Sequence, residues 1–199
     1  MALIIHTLRR LAIEVVIESG RARGQSTYLL AKYLPDTQIH SVELRGELLD
    51  EAVARERVAL YSHVTLHAGD GSILVPELAK AASPKRTAIL CDGPKGATAV
   101  AILERCFEDP HVIVGFIHDM RKLDHGGPSP HRQVAIDRLP NHKFSDDPVL
   151  VAGSSWMDEE IIKAGGPAGP AHEKEFGSYG PTVGIFFNKQ QAHQHLAKE

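Results

Sequence analysis

Four polar side chains follow two apolar runs in the middle of the chain. The segment LCDGPKG places Asp92 directly after one run and Lys95 beyond a Gly-Pro turn, and GFIHDM places His118 and Asp119 after the next run. Carboxylates are ligands that suit a hard divalent cation such as Mg²⁺, and an amine or imidazole can take part in proton transfer. Asp92 and Asp119 are therefore candidate metal ligands beside two candidate acid–base groups.

A second group of residues surrounds a glycine turn in VVIESGRARGQSTY. Gly20 and Gly24 permit a sharp turn and a close backbone approach, and the small Ala22 lies between them. Glu43 ends the next apolar run, where a carboxylate can accept both hydroxyl protons of a ribose. The pattern predicts a nucleoside ligand.

Short runs rich in Val, Ile and Leu predict the strands that would carry these groups. The runs cover residues 12–18, 38–44, 63–69, 86–93 and 111–119. Segments of helical period lie between them, at 26–34, 47–60, 73–82 and 97–107. This alternation predicts a doubly wound α/β fold, with helices on both faces of a mostly parallel sheet and a ligand crevice at the carboxyl ends of its strands.

The remainder of the chain is richer in Gly and Pro. Strands are predicted at 148–156 and 181–188, and because no crossover helix separates them the pair should be antiparallel. They bring the sheet to seven strands in one domain spanning residues 1–199. The loops at 121–131 and 163–180 are candidates for a lid or a wall that selects the substrate.

Composition bounds the class of protein. The chain has 199 residues, 43% of them hydrophobic, and a net charge of -3 with interspersed signs, which favours a small-molecule partner over nucleic acid. Its two cysteines argue against a disulfide framework and favour a cytoplasmic setting. The opening MALIIHTLRRLAI is too short in its apolar part for a membrane span or a signal peptide. A homodimer is compatible with the pattern.

Several motifs resemble those of the class I S-adenosylmethionine-dependent methyltransferases. ESGRARG resembles their E-x-G-x-G-x-G signature with Ala22 at the middle glycine, HSVEL their ribose-binding acid, HAGDG the acid beside the adenine, and SYGPTVGIFF their antiparallel last strand. The resemblance implies a Rossmann-like fold with S-adenosyl-L-methionine as cofactor. It implies these cofactor-binding residues: Glu18, Gly20, Ala22, Gly24, Ser26, Thr27, Glu43, Asp70 and Gly71.

Among these enzymes, the chain looks like the metal-dependent catechol-type and sugar O-methyltransferases. Their D-x-x-K motif after the fourth strand matches Asp92 and Lys95, and their second Asp, after the fifth strand, matches Asp119. This resemblance implies O-methylation of a small hydroxylated substrate, with Lys95 as general base. We expect burial and a nearby cation to lower the pKa of Lys95.

The chain departs from the catechol-type pattern at Met120, where those enzymes have an Asn. Either His118 or water then completes the metal site, or there is no metal and His118 or His125 is the base. Arg21 and Arg23 are unusual in such a turn. They either point to solvent, or one of them meets an anionic group of the cofactor or substrate.

Two other classes remain open. An NAD(P)-binding oxidoreductase also has a glycine turn and an acid after the second strand, although its G-x-G-x-x-G pattern fits poorly here. A non-catalytic protein with the methyltransferase fold is compatible with the short segment before the first strand, where catechol-type enzymes carry extra helices.

Overall fold

The computed structural model describes residues 1–44, 48–120, 129–147 and 182–189. In chain order it contains α1 (Ala2–Arg10), β1 (Val15–Ser19), α2 (Gln25–Tyr33), β2 (Gln38–Glu43), α3 (Leu48–Val58), β3 (Val64–Ala68), α4 (Gly71–Ala82), β4 (Thr87–Cys91), α5 (Ala97–Cys106), β5 (Val112–Ile117), α6 (Pro130–Arg138), β6 (His142–Phe144) and β7 (Gly184–Phe187). The predicted strand at 148–156, the predicted loop at 163–180, and residues 121–128 with His125 lie outside these ranges.

The strands form one sheet in the order β3-β2-β1-β4-β5-β7-β6. Neighbouring strands from β3 to β5 are parallel, and β7 runs antiparallel to both β5 and β6. The predicted α/β architecture with seven strands and an antiparallel last strand is confirmed. The sequence analysis missed β6, because three residues are too few to show a strand period and the segment is strand-like only through its pairing with β7.

Alternate residues of the strands feed two hydrophobic cores on opposite faces of the sheet. Ile17 packs on one face with Val75 of α4 and Leu103 of α5, and all three side chains are fully buried. Val16 packs on the other face with Leu30 of α2. The central strands β1, β4 and β5 are therefore buried on both sides, which explains why they are largely apolar rather than alternating.

The first helix, α1, was not predicted. Ile4, Ile5 and Leu8 lie on one side of it and are buried in the core that also contains α2. Arg9 and Arg10 occupy its last turn, where positive charge is favourable. The i, i+4 spacing of the buried residues was the available signal. None of the described helices combines the length and apolar character that a membrane span needs.

Candidate functional site

The carboxyl ends of the parallel strands meet along one edge of the sheet. Ser19, which ends β1, lies in register with Val42 of β2 on one side and with Cys91 of β4 on the other. Cys91 is in turn paired with Ile117 of β5. The glycine turn and the polar residues that follow β2, β4 and β5 therefore share this edge, as predicted.

The glycine turn, residues 20–24, has three residues with positive φ. Gly20, Ala22 and Gly24 have φ of 89°, 43° and 73°. A Cβ on Gly20 would come within 2.4 Å of the backbone nitrogen of Gly93, so only glycine fits between β1 and the loop after β4. Ala22, at the middle glycine position of the signature, adopts the left-handed conformation at a cost of about 1 kcal/mol.

Glu18 lies beneath this turn with 0% of its surface exposed. Its carboxylate accepts hydrogen bonds from the hydroxyls of Ser26, Thr27 and Ser41, the last at 2.6 Å. Burial raises its pKa, although the three hydroxyls act in the opposite direction. Glu18, Ser26 and Thr27 were predicted to bind the cofactor, and in this structure their side chains bond to one another and hold the start of α2 against β1 and β2.

Glu43 is half-buried at the end of β2. Its Oε2 accepts a hydrogen bond of 2.7 Å from the backbone nitrogen of Ala22, and its backbone oxygen accepts one of 2.9 Å from the nitrogen of Gly69. The candidate ribose-binding carboxylate is thus directly connected to the glycine turn and to the end of β3. No sequence pattern predicted the contact with Ala22.

The other predicted cofactor residues lie at the start of α4. Asp70 caps this helix, its Oδ1 accepting 2.8 Å and 2.7 Å bonds from the backbone nitrogen and hydroxyl of Ser72. Those bonds lower the pKa of Asp70. Gly71 is buried so close to Ser19 that a Cβ would lie 2.2 Å from its hydroxyl oxygen. The amino terminus of α4 is thereby held against the end of β1.

Of the two arginines of the glycine turn, Arg21 departs from both expectations, whereas Arg23 is exposed as the first expectation had it. Arg21 points neither to solvent nor into the crevice, since only 3% of it is exposed and its guanidinium lies beneath β2 and β3. Arg23 is exposed and pairs with Asp50 of α3 at 2.8 Å. The sequence shows that the turn contains two arginines, but it does not show which of them is buried.

Asp92, Lys95, His118 and Asp119, here called the charged cluster, lie together beyond β4 and β5. The Lys95 ammonium contacts the Asp92 carboxylate and lies 2.7 Å from Asp119 Oδ2. His118 Nδ1 is 3.3 Å from Asp92 Oδ1 and 3.0 Å from Asp119 Oδ1. Asp119 has φ of 61°, a strained conformation of the kind that occurs at functional sites. The four residues that the sequence brought together as candidates are neighbours in space.

Two pKa shifts follow from this arrangement. Burial favours the neutral form of Asp92, but hydrogen bonds with His118 and Lys95 outweigh it and lower its pKa to about 2. Burial likewise favours neutral Lys95, but its bonds to Asp119 and Asp92 outweigh burial and raise its pKa. The expected lowering of the Lys95 pKa is therefore wrong for the chain by itself, because two carboxylates stabilise the ammonium form.

The charged cluster meets the basic requirement for holding a cation. One ligand atom each from Asp92, His118 and Asp119 lie within 4.8 Å of one another. The side chain of Met120 is fully buried in a hydrophobic core and offers no ligand to this site. This geometry is compatible with an imidazole ligand from His118 in place of the missing Asn, and His125 lies outside the described residues.

Helix α6 adds a histidine beside this cluster. Gly96, the residue after Lys95, has φ of 66°, and a Cβ on it would lie 2.5 Å from His131 Nδ1. His131 is exposed at the start of α6, whose first turn is capped by the Ser129 hydroxyl. This imidazole thus borders the loop of the charged cluster, a proximity that sequence spacing could not indicate.

The fold is similar to that of solved methyltransferase structures. The O-methyltransferase TomG from Streptomyces achromogenes, solved in complex with S-adenosylmethionine, aligns with a TM-score of 0.55 at 18% identity, over 94% of this chain and 78% of that one. The methyltransferase domain of bacterial CtHen1-C aligns with a TM-score of 0.52 at 14% identity, over 94% and 95% of the two chains.

Sequence comparison gives a shorter match. A protein-L-isoaspartate O-methyltransferase from Roseiflexus sp. (strain RS-1) is 31% identical over 79 residues, which is 40% of this chain and 35% of the relative. The match thus spans about a third of the relative's length. No protein-family model matches the chain.

Proposed function

We propose that this chain binds S-adenosylmethionine at the glycine turn and transfers its methyl group to an oxygen of a small hydroxylated molecule. The main support is the contact between Glu43 Oε2 and the Ala22 nitrogen at 2.7 Å, which sets a carboxylate beside a turn that tolerates no side chain at Gly20. The turn follows β1 where the strand order reverses between β1 and β4, the usual place for a ligand in such sheets.

The topology favours this cofactor over a dinucleotide. The dinucleotide-binding fold has the order 3-2-1-4-5-6, whereas here the antiparallel β7 lies between β5 and β6. Glu43 would accept hydrogen bonds from the two ribose hydroxyls of S-adenosylmethionine, and the backbone of the glycine turn would lie against its aminoacyl end. When bound, S-adenosylmethionine supplies an electrophilic methyl group on a sulfonium.

Transfer to oxygen requires that an acceptor hydroxyl be aligned with the methyl group and lose its proton. The charged cluster lies on the same edge as the turn and provides groups for both tasks. The neighbouring structure TomG and the Roseiflexus relative are each named as O-methyltransferases, which supports oxygen as the acceptor atom.

A divalent cation fits the charged cluster, with Asp92, His118 and Asp119 as its ligands. Two carboxylates with one imidazole suit Mn²⁺ or a similar ion as well as Mg²⁺, because nitrogen ligands favour ions later in the series. Such an ion lowers the pKa of a hydroxyl that it binds. The Lys95 ammonium contacts both carboxylates, and their negative charge raises its pKa. A cation bound to the same carboxylates would offset part of that negative charge, so Lys95 would lose its proton more easily and become a better base.

Calorimetric titration tests the cofactor. Adenosylhomocysteine should bind and NAD should not, and Glu43→Gln should weaken adenosylhomocysteine binding by about 10-fold or more because it removes a charge-assisted hydrogen bond. Glu56→Gln, on the exposed face of α3, is the matched control and should change little. Binding of NAD alone would overturn the proposal.

Thermal unfolding in the presence of Mn²⁺ or Mg²⁺ tests the metal. A ligand at ten times its Kd stabilises a protein by about 1.4 kcal/mol, or about 3 °C for a chain of this size. We expect a rise in Tm for the wild type that Asp119→Asn reduces and Asp50→Asn, on α3, leaves unchanged. An equal rise in all three proteins would exclude a cation at the charged cluster.

A further inference from the structure

Arg21 is a buried cation within the glycine turn. Its side chain is 1% exposed. The Nη1 atom donates hydrogen bonds to the backbone oxygen of Ser41 in β2 at 2.9 Å and to that of His67 in β3 at 2.8 Å. The Nη2 atom forms an ion pair with Glu51 of α3. One guanidinium group therefore joins the turn after β1 to two neighbouring strands and a helix.

Burying a charge is costly unless partners compensate for it. Here the compensation comes from one carboxylate and two carbonyl groups, while the buried Nε atom of Arg21 has no hydrogen-bond partner among the residues that the structure describes. A polar or apolar residue would avoid that cost if the position only filled space. The contacts thus suggest a role that needs a long side chain with several hydrogen-bond donors in fixed directions, and a guanidinium group supplies both.

The two carbonyl groups precede the candidate nucleoside-binding residues. Ser41 lies two positions before Glu43 in the same strand, and His67 comes shortly before Asp70. The backbone of Ala22, the residue after Arg21, holds the Glu43 carboxylate directly. Arg21 is thus linked to Glu43 through the backbone of β2, whereas Ala22 contacts the Glu43 carboxylate directly.

We propose that Arg21, held by Glu51, is a positioning residue that sets Glu43 for the ribose of a bound nucleoside. This inference rests on the proposed function. A carboxylate that must accept two adjacent hydroxyl groups gains affinity only if it is already in place, because its ordering would otherwise be part of the cost of binding. Arg21 does not touch the ligand and has no part in the transfer itself.

The test is calorimetric titration of the full chain with adenosylhomocysteine. Arg21→Met should weaken binding by about 10-fold, and Arg21→Lys should recover part of the loss because it keeps the charge but not the fork. Glu51→Gln should weaken binding in the same direction by a smaller factor. Arg10→Met is the control, because this exposed arginine lies in the last turn of α1 and outside the glycine turn, and it should change affinity less than about 2-fold.

A double-mutant cycle separates positioning from general support of the fold. If Arg21 acts through Glu43, then Arg21→Met should cause little further loss of affinity in a Glu43→Gln background. Independent, multiplying losses would overturn the inference. Titrations are carried out well below the lowest Tm of the set, and if Arg21→Met does not fold, the same cycle is made with Glu51→Gln.

The outcomes distinguish the inference from the function on which it rests. If the wild type fails to bind adenosylhomocysteine, both are overturned. If the wild type binds and the Arg21 variants bind as tightly as Arg10→Met, the inference alone is overturned, and the cofactor assignment stands.

Discussion

The two halves of the functional edge use charge in opposite ways. Around the glycine turn two charged groups are enclosed, Glu18 and Arg21, at 0% and 3% exposure and each bonded to several groups of the protein. In the charged cluster the side chains of Lys95 and Asp119 are 40% and 49% exposed and mainly contact one another. The first half buries its charges among hydrogen bonds of the fold, and the second leaves its charges open to solvent.

The difference matches the tasks that we propose. A nucleoside is held best by a backbone whose shape does not change on binding, because reordering would reduce affinity. Proton transfer and cation binding instead need side chains that can change charge and ligand. In this proposal, the charged residues around the turn keep the backbone in the shape that binds the nucleoside. The charged residues after β4 and β5 take part in proton transfer and cation binding.

The largest effect should come from Gly20→Ala. A side chain there would meet the Gly93 nitrogen at 2.4 Å in a residue with φ of 89°, so we expect a loss of about 3 kcal/mol or more in the free energy of unfolding, together with loss of adenosylhomocysteine binding. The control is Gly93→Ala, whose Cβ would find its nearest neighbour, the Gly20 Cα, at 3.5 Å. Equal unfolding midpoints in denaturant for the two variants would contradict the close approach.

A smaller effect separates a carboxylate in each half. Glu18→Ala removes the acceptor of three hydroxyl groups, of which those of Thr27 and Ser41 are buried, and should cost about 2 to 4 kcal/mol. Asp119→Asn, in the exposed charged cluster, should change the free energy of unfolding by less than about 1 kcal/mol. Denaturant unfolding measures both, and comparable costs would contradict the difference in burial between the two halves.

The smallest effect concerns pH. His40 and His67 lie side by side in β2 and β3, with Nδ1 and Nε2 3.1 Å apart, and burial lowers the pKa of both, helped by the positive charge of His67 and Lys85 at His40 and of Arg21 at His67. As the pH falls, these two histidines therefore take up protons in the unfolded chain near pH 6.5, and in the folded chain only at lower pH. The contribution of the two neutral histidines to stability is thus present above about pH 6.5 and is lost below it.

We expect the Tm of the wild type to fall between pH 7.5 and 5.5 by about 2 °C more than that of a variant with both His40→Gln and His67→Gln. His6→Gln, at an exposed position of α1, is the control and should keep the slope of the wild type. A double variant with an unchanged slope would remove this pair from the acid response.

Much of the fold was predictable because the strands of a parallel sheet are buried on both faces. The run at 111–119 is apolar along most of its length, and the structure has β5 within it. The short β6 and the helix α1 escaped, since β6 exists only through its pairing with β7, and α1 has a single buried face on a few residues. The polar groups at the edge were predictable as a set, since residues that follow parallel strands must meet there.

The sequence alone thus determined which residues stand at the ends of which strands, since apolar runs and glycines give the order of the elements. Only the tertiary structure decided where the side chains point: Arg21 turns inward, Glu43 is held by Ala22, and Lys95 lies between two carboxylates that raise its pKa. The physical reason is that burial and hydrogen bonding depend on groups far apart in the chain. No local pattern contains the distance between them.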